Sequence, residues 1–173
     1  MSARLNILDR LLSNVVILLM GSLVLVVTWQ VATRYLLGSP SSVTEEIARF
    51  LLIWIGLLGS AYAYRQKKHL AFDFLLRKQT HSIQRRLEMG IHSVIALFSV
   101  IVLVVGGGRL VQLSLELGQH SAALQIPLGV VYLVLPLSGI IITLYAIQFV
   151  REAKAGENTL IPESNNGGDE WSG

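Results

Sequence analysis

Apolar residues along this chain come in long runs, without the short alternation of a soluble fold. A helix needs about 20 mostly apolar residues to cross the hydrocarbon core of a bilayer. Four runs meet that need, at about 15–33, 47–64, 90–110 and 126–150. The first carries no charge. The second is the least regular, because Arg49 interrupts its start and only 50–63 is charge-free. In lipid the backbone must satisfy its own polar groups, so all four are expected to be helical despite their valine and isoleucine content. Pro127 suits the first turn of the fourth helix, where no N–H is required. Pro136 predicts a kink further on. Arg4 and Arg10 precede the first run as they would in a signal peptide. The run is long and lacks a small-residue cleavage site, so we read it as a retained anchor.

The connection between the second and third runs has a pattern of its own. On a helix, Phe72, Leu75, Leu76, Gln79, Ile83 and Leu87 share one face. Arg77, Lys78, His81, Gln84, Arg85 and Glu88 share the other, and Arg86 adds to the charge. That predicts an amphipathic helix over 70–88 lying among lipid headgroups. The simpler alternative is a solvated extension of the third span. The expected fold is therefore an all-α integral membrane protein: four transmembrane helices and a cytoplasmic-side interfacial helix within residues 1–155. The tail, 156–173, is polar and expected to be disordered.

Charge then sets orientation. Lysine and arginine gather in the N-terminal segment, in 65–89 and in the tail (Arg151, Lys154), while the other connections hold almost none. By the positive-inside rule both termini and 65–89 face the cytoplasm of a bacterial inner membrane. Composition agrees: 53% of residues are hydrophobic and 14% charged, against about a quarter charged in an average soluble domain. The basic residues sit where membrane topology needs them, so no nucleic-acid partner is expected. Without cysteine there is no disulfide, thiolate metal site or cysteine nucleophile.

Candidate chemistry concentrates after the first span. Gly38, Ser39 and Pro40 make a turn. Ser42 and Glu45 have the spacing of a capping box. Glu45 and Arg49 are four apart with the acid first, suited to an ion pair. Glu45, Glu46 and Arg49 are thus either a helix start anchored at the interface or a contact for a partner; no other acid lies within a span to complete an ion site. Gly56, Gly59, Ser60 and Ala63 would let another helix approach closely. Gly106, Gly107 and Gly108 are expected to loosen the end of the third span. Trp29, Tyr35, Trp54, Tyr62, Tyr64, Tyr132 and Tyr145 read as interfacial anchors. His92 is the sole histidine within a span and has no second histidine at its depth to ligate haem. Phosphate loops, zinc-protease motifs and nucleophile elbows are absent from the sequence. No enzyme activity and no cofactor in this chain are expected.

Three stretches have a familiar order. Arg34-Tyr35 is followed by the turn and by Glu45-Glu46-Ile47-Ala48-Arg49-Phe50, then Trp54 and Gly59. Lys68-His69-Leu70-Ala71-Phe72-Asp73 follows the second span. Ser121-Ala122-Ala123-Leu124-Gln125-Ile126-Pro127 leads to Tyr132 and Pro136. Together they resemble the small membrane subunit of tripartite ATP-independent periplasmic (TRAP) transporters, the DctQ-like family. The chain departs from that pattern at Ala122, where proline is frequent, and at Gly129-Val130, where an aromatic is. The resemblance implies a static scaffold for a large multi-span subunit that carries the sodium and substrate sites and moves like an elevator. It implies periplasmic surface for a soluble solute-binding protein, and an organic acid anion as cargo. Beside that resemblance, our own expectation is that Arg34, Glu45, Glu46, Arg49, Trp54, Gly56 and Gly59 lie at a partner interface. The alternative is a four-span structural subunit of another inner-membrane complex, respiratory or signalling, without its own cofactor.

Overall fold

The computed structural model describes residues 2–36, 38, 41–66 and 81–155, with side chains from Ile7 onward except at 81–85, 154 and 155. Its elements are α1 (Ser2–Leu36), α2 (Ser42–Arg65), α3 (His81–Phe98), a π-helical stretch (Ser99–Gly106), α4 (Gly107–Glu116), α5 (Leu128–Tyr132) and α6 (Val134–Ala155). No strand occurs among the described residues, only an isolated bridge between His120 and Pro127. Four stretches are long and apolar enough to cross a membrane: Ile7–Leu36, Ser42–Arg65, Arg86–Glu116 and Leu128–Ala153. Each coincides with a run expected from the sequence, and the chain is a multi-pass membrane protein.

The third span differs most from expectation. The glycines at 106–108 do not end it: helix continues to Glu116, with Arg109 exposed on its surface. Gly107 is instead a packing position, where an added Cβ would lie 2.7 Å from Leu135 Cβ and 3.2 Å from the Pro136 ring. The stretch before it is rich in β-branched residues and runs as a π-helix, with the Gly107 N–H reaching the carbonyl of Val102. Ser99 Oγ donates to the carbonyl of Gly139 at 2.8 Å, fixing this stretch to α6.

The fourth span breaks as its proline requires. Pro136 has no N–H for the carbonyl four residues earlier, and its ring crowds that carbonyl. Accordingly α5 ends at Tyr132, and the ladder resumes in α6 with Leu137 N–H to the Leu133 carbonyl at 3.2 Å. Pro127 stands one residue ahead of α5, at its N-cap. Ser41, not Ser42, caps α2 and makes no side-chain cap bond; the capping box does not form, because from Ser41 the N3 position is Thr44 and Glu45 falls one residue beyond it, where it pairs with Arg49.

The spans pack in sequence about α6. Helix α1 lies on α2, α2 on α6, and α6 on α3 and the π-helical stretch, while α4 pairs with α5. Their shared core is Leu12, Leu58, Ala61, Tyr64, Val134, Ile141, Tyr145, Ala146 and Phe149. Tyr64 and Tyr145 thus belong to the core and not to an aromatic belt. Of the expected interfacial helix, 70–80, with Phe72, Leu75, Leu76, Arg77 and Lys78, falls outside the described residues, as does the tail 156–173. Residues 81–88 continue directly into the third span. Arg86 and Leu87 point outward, but Glu88 is 1% exposed, although its face reads as polar and solvated in the sequence. The reason is that this segment is packed against α6, so its inward side carries the acid.

Candidate functional site

Among the described residues, charged groups gather at the two ends of the helices, and the polar side chains in the middle are hydroxyls such as Ser99 and Ser138. Asp9 and Arg65 mark the end of the bundle at which α1 begins and α2 stops. There Asp9 accepts from Arg65 Nε at 3.0 Å and from the Tyr145 hydroxyl at 2.6 Å. One carboxylate therefore joins α1, α2 and α6. Arg65 also stands over the rings of Tyr145 and Phe149, 5.6 and 5.8 Å from their centroids, a favourable position for a cation. Beside it the Tyr64 hydroxyl and His92 Nδ1 share a buried hydrogen bond of 2.7 Å, joining α2 to α3. The His92 and Phe149 rings are 4.9 Å apart, and Tyr64 meets Phe149 edge-on at 5.5 Å.

At the far end the two acids of α2 divide. Glu45 pairs with Arg49 at 2.9 Å as its spacing predicts, with side chains 57% and 66% exposed. Glu46 turns inward instead. Its carboxylate accepts the backbone N–H groups of Ala122, Ala123 and Leu124, in the loop between α4 and α5. The neighbouring acids thus have different partners, one a side chain on the same helix and one a distant backbone.

The remaining sequence-derived interface residues are spread. Arg34 is exposed in the last turn of α1. Trp54 is half-buried against the core. Gly56 and Gly59 have nothing within 4 Å of an added Cβ, so no helix of this chain uses them for close approach. With Arg49, Leu52, Ser60 and Ala63 exposed on the same helix, α2 presents a lane of small side chains that no other element of the described chain covers. Close approach within the chain occurs at Gly107, Gly129 and Gly139. The sequence does not single out Asp9, and it points to Tyr64, His92, Glu88 and residues 122–124 in other roles than these. Asp9 could have been found from depth alone, as an acid and Arg65 lie at matching span ends.

This arrangement holds helices together at their ends. Apart from Glu45–Arg49 on α2, the pairs described above lie between helices or between a helix and a loop. Comparison with known proteins agrees in kind. The sequence profile of the family described as "Tripartite ATP-independent periplasmic transporters, DctQ component" matches residues 23–155. A sialic acid TRAP transporter small permease protein, SiaQ, of Vibrio cholerae is 31% identical over 65% of this chain and 61% of its own length. The match thus spans about three fifths of that relative. A putative TRAP transporter small permease protein of Haemophilus influenzae is 25% identical over 80% of this chain and 84% of its own. An isethionate TRAP transporter permease protein, DctMQ, of Oleidesulfovibrio alaskensis is 30% identical over 69% of this chain, but that match occupies 20% of the larger protein.

Proposed function

The chain belongs to the DctQ family of TRAP transporter components, and from that premise we propose that it is the small scaffold subunit of a sodium-driven, binding-protein-dependent importer of an organic acid anion. Proteins of this family are transporter subunits and not enzymes. The observation that carries the scaffold role is the uncovered lane on α2, where Gly56 and Gly59 leave open space along an otherwise apolar helix. Small side chains let a second helix come close, and packing drives association between helices in lipid. The occupant we assign is the large multi-span TRAP subunit. The match to one fifth of a longer permease protein supports that assignment, since there the equivalent helices are covalently part of a larger membrane protein.

In this reading sodium coupling and the substrate path reside in the large subunit. A static frame suits what the present chain offers: bonds at both ends and few polar groups between them. Relatives named for sialic acid and isethionate both handle organic anions, which supports that substrate class. Both termini and 65–89 face the cytoplasm of the inner membrane, following the lysine and arginine bias. The far end, with Glu45, Arg49 and the α4–α5 loop, then faces the periplasm and the soluble binding protein. Residues 70–88 brace the assembly against lipid headgroups on the cytoplasmic side.

Affinity isolation of the tagged chain from native membranes tests the reading. A much larger multi-span protein is expected to co-purify, and Arg49→Glu is expected to weaken that recovery and uptake in proteoliposomes. Recovery of the chain alone, or a haem Soret band in the sample, would overturn it.

A further inference from the structure

Three successive backbone N–H groups converge on one carboxylate at the far end. Glu46 Oε1 accepts from Ala122 at 3.1 Å, and Oε2 from Ala123 and Leu124, each at 2.9 Å. The Ser121 hydroxyl, 3% exposed, lies beside the same group. Successive amides aimed into one concavity make an anion site, and bonds to an ionised acceptor are roughly twice as strong as neutral ones. The acid comes from another span, 76 to 78 positions earlier in the chain.

The loop around this cradle has a conformation that needs holding. Gln125 has φ +55°, in the left-handed region that side chains rarely adopt. Such a residue persists where its surroundings over-determine it. Ser121 N–H reaches the Ile126 carbonyl at 2.9 Å, and Gln125 N–H reaches the Ser121 carbonyl at 3.2 Å. Those two bonds close the loop on itself. The Glu46 carboxylate ties it to α2.

We propose that residues 122–124 form a carboxylate-binding cradle and that Glu46 is its built-in ligand, so the α4–α5 loop has a single shape only while a carboxylate is in place. Glu46 is then a positioning residue for the far-end surface. The ligand class follows from the donors: a small planar monocarboxylate offers the same two oxygens.

Amide exchange on the full-length chain in lipid nanodiscs tests this, with formate as the probe and chloride at equal ionic strength as control. In Glu46→Ala, exchange at 122–124 is expected to rise at least about tenfold, and formate is expected to restore most of the protection. Formate is expected to change nothing in the wild type. Exchange over 145–149 reports whether the variant is folded. Equal protection at 122–124 in folded Glu46→Ala, or faster exchange that formate leaves unaltered, overturns the proposal. Glu46→Gln keeps the side-chain shape but offers one oxygen in place of two. It is expected to exchange faster at 122–124 and to ignore formate; protection as in the wild type again overturns the proposal.

Discussion

The first pair of spans and the second pair use glycine differently. In the second pair Gly107, Gly129 and Gly139 are filled from across the interface, whereas Gly90 and Gly108 face open space. A Cβ at Gly139 would lie 2.7 Å from Leu103 Cβ, and one at Gly129 would lie 2.6 Å from Leu115 Cγ. In α2 the glycines at 56 and 59 meet nothing within 4 Å. Burial rises along the chain: 6% of the most apolar stretch of the first span is buried, 17% in the second and in the third, and 44% in the fourth. The first pair is held to the rest largely at its ends, by Asp9 and Tyr64 at one and Glu46 at the other. The second pair is interlocked along its length. Among the described residues, glycine therefore marks close packing only in the second pair, and there only where it is turned toward a neighbouring helix.

The sharpest way to break that comparison is Gly139→Leu. Its new atoms meet Leu103 Cβ and the Val104 backbone nitrogen, which cannot swing aside. Overpacking of this kind costs about 1–3 kcal/mol or more, and a large fall in the thermal midpoint in detergent is expected. Next is Asp9→Ala, which leaves the Arg65 guanidinium, 20% exposed, and the Tyr145 hydroxyl without their shared acceptor. A loss of about 2 kcal/mol is expected from the same melt, because a partly buried charge left unpaired is costly. Proteolysis near the N-terminus of α1 should rise in parallel.

Tyr64→Phe sharpens the comparison at smaller cost. It removes the hydrogen bond to His92 but keeps the ring contact with Phe149. Hydrogen bonds between membrane helices average about 0.6 kcal/mol, so a shift of that order is expected. Arg49→Ala is expected to change the melt by less than about 0.5 kcal/mol, since the pair with Glu45 is exposed. Gly56→Leu should leave the isolated chain equally stable, within about 0.5 kcal/mol. Its expected effect is loss of the co-purifying large subunit. Gly56→Leu that destabilises the chain as Gly139→Leu does would erase the distinction between the two halves.

Much of the fold was legible because hydropathy integrates over many residues. The four spans, the weak start of the second at Arg49, the Glu45–Arg49 pair and the break before Pro136 each follow from local composition or spacing. The failures have a common cause. The sequence places Glu88 on a solvated face, Tyr64 and Tyr145 at an interface and Gly107 at a frayed end, yet all four pack inward. In each case the residue type is polar, amphipathic or small as the pattern says. What the pattern does not carry is which way the helix is turned.

The sequence by itself determined how many times this chain crosses the membrane, roughly where, and to which family it belongs. Those features depend on residues summed along the chain or on short ordered motifs. Only the tertiary structure decided that Glu46 holds the 122–124 loop, that Asp9 joins three helices, and that Gly139 is filled while Gly56 is open. The physical reason lies in the solvent. A membrane helix is apolar on the side facing lipid and on the side facing protein, so no amphipathic pattern marks its rotation. Rotation is set by which surfaces interlock and which few polar groups meet. Both are properties of pairs of helices and not of any one.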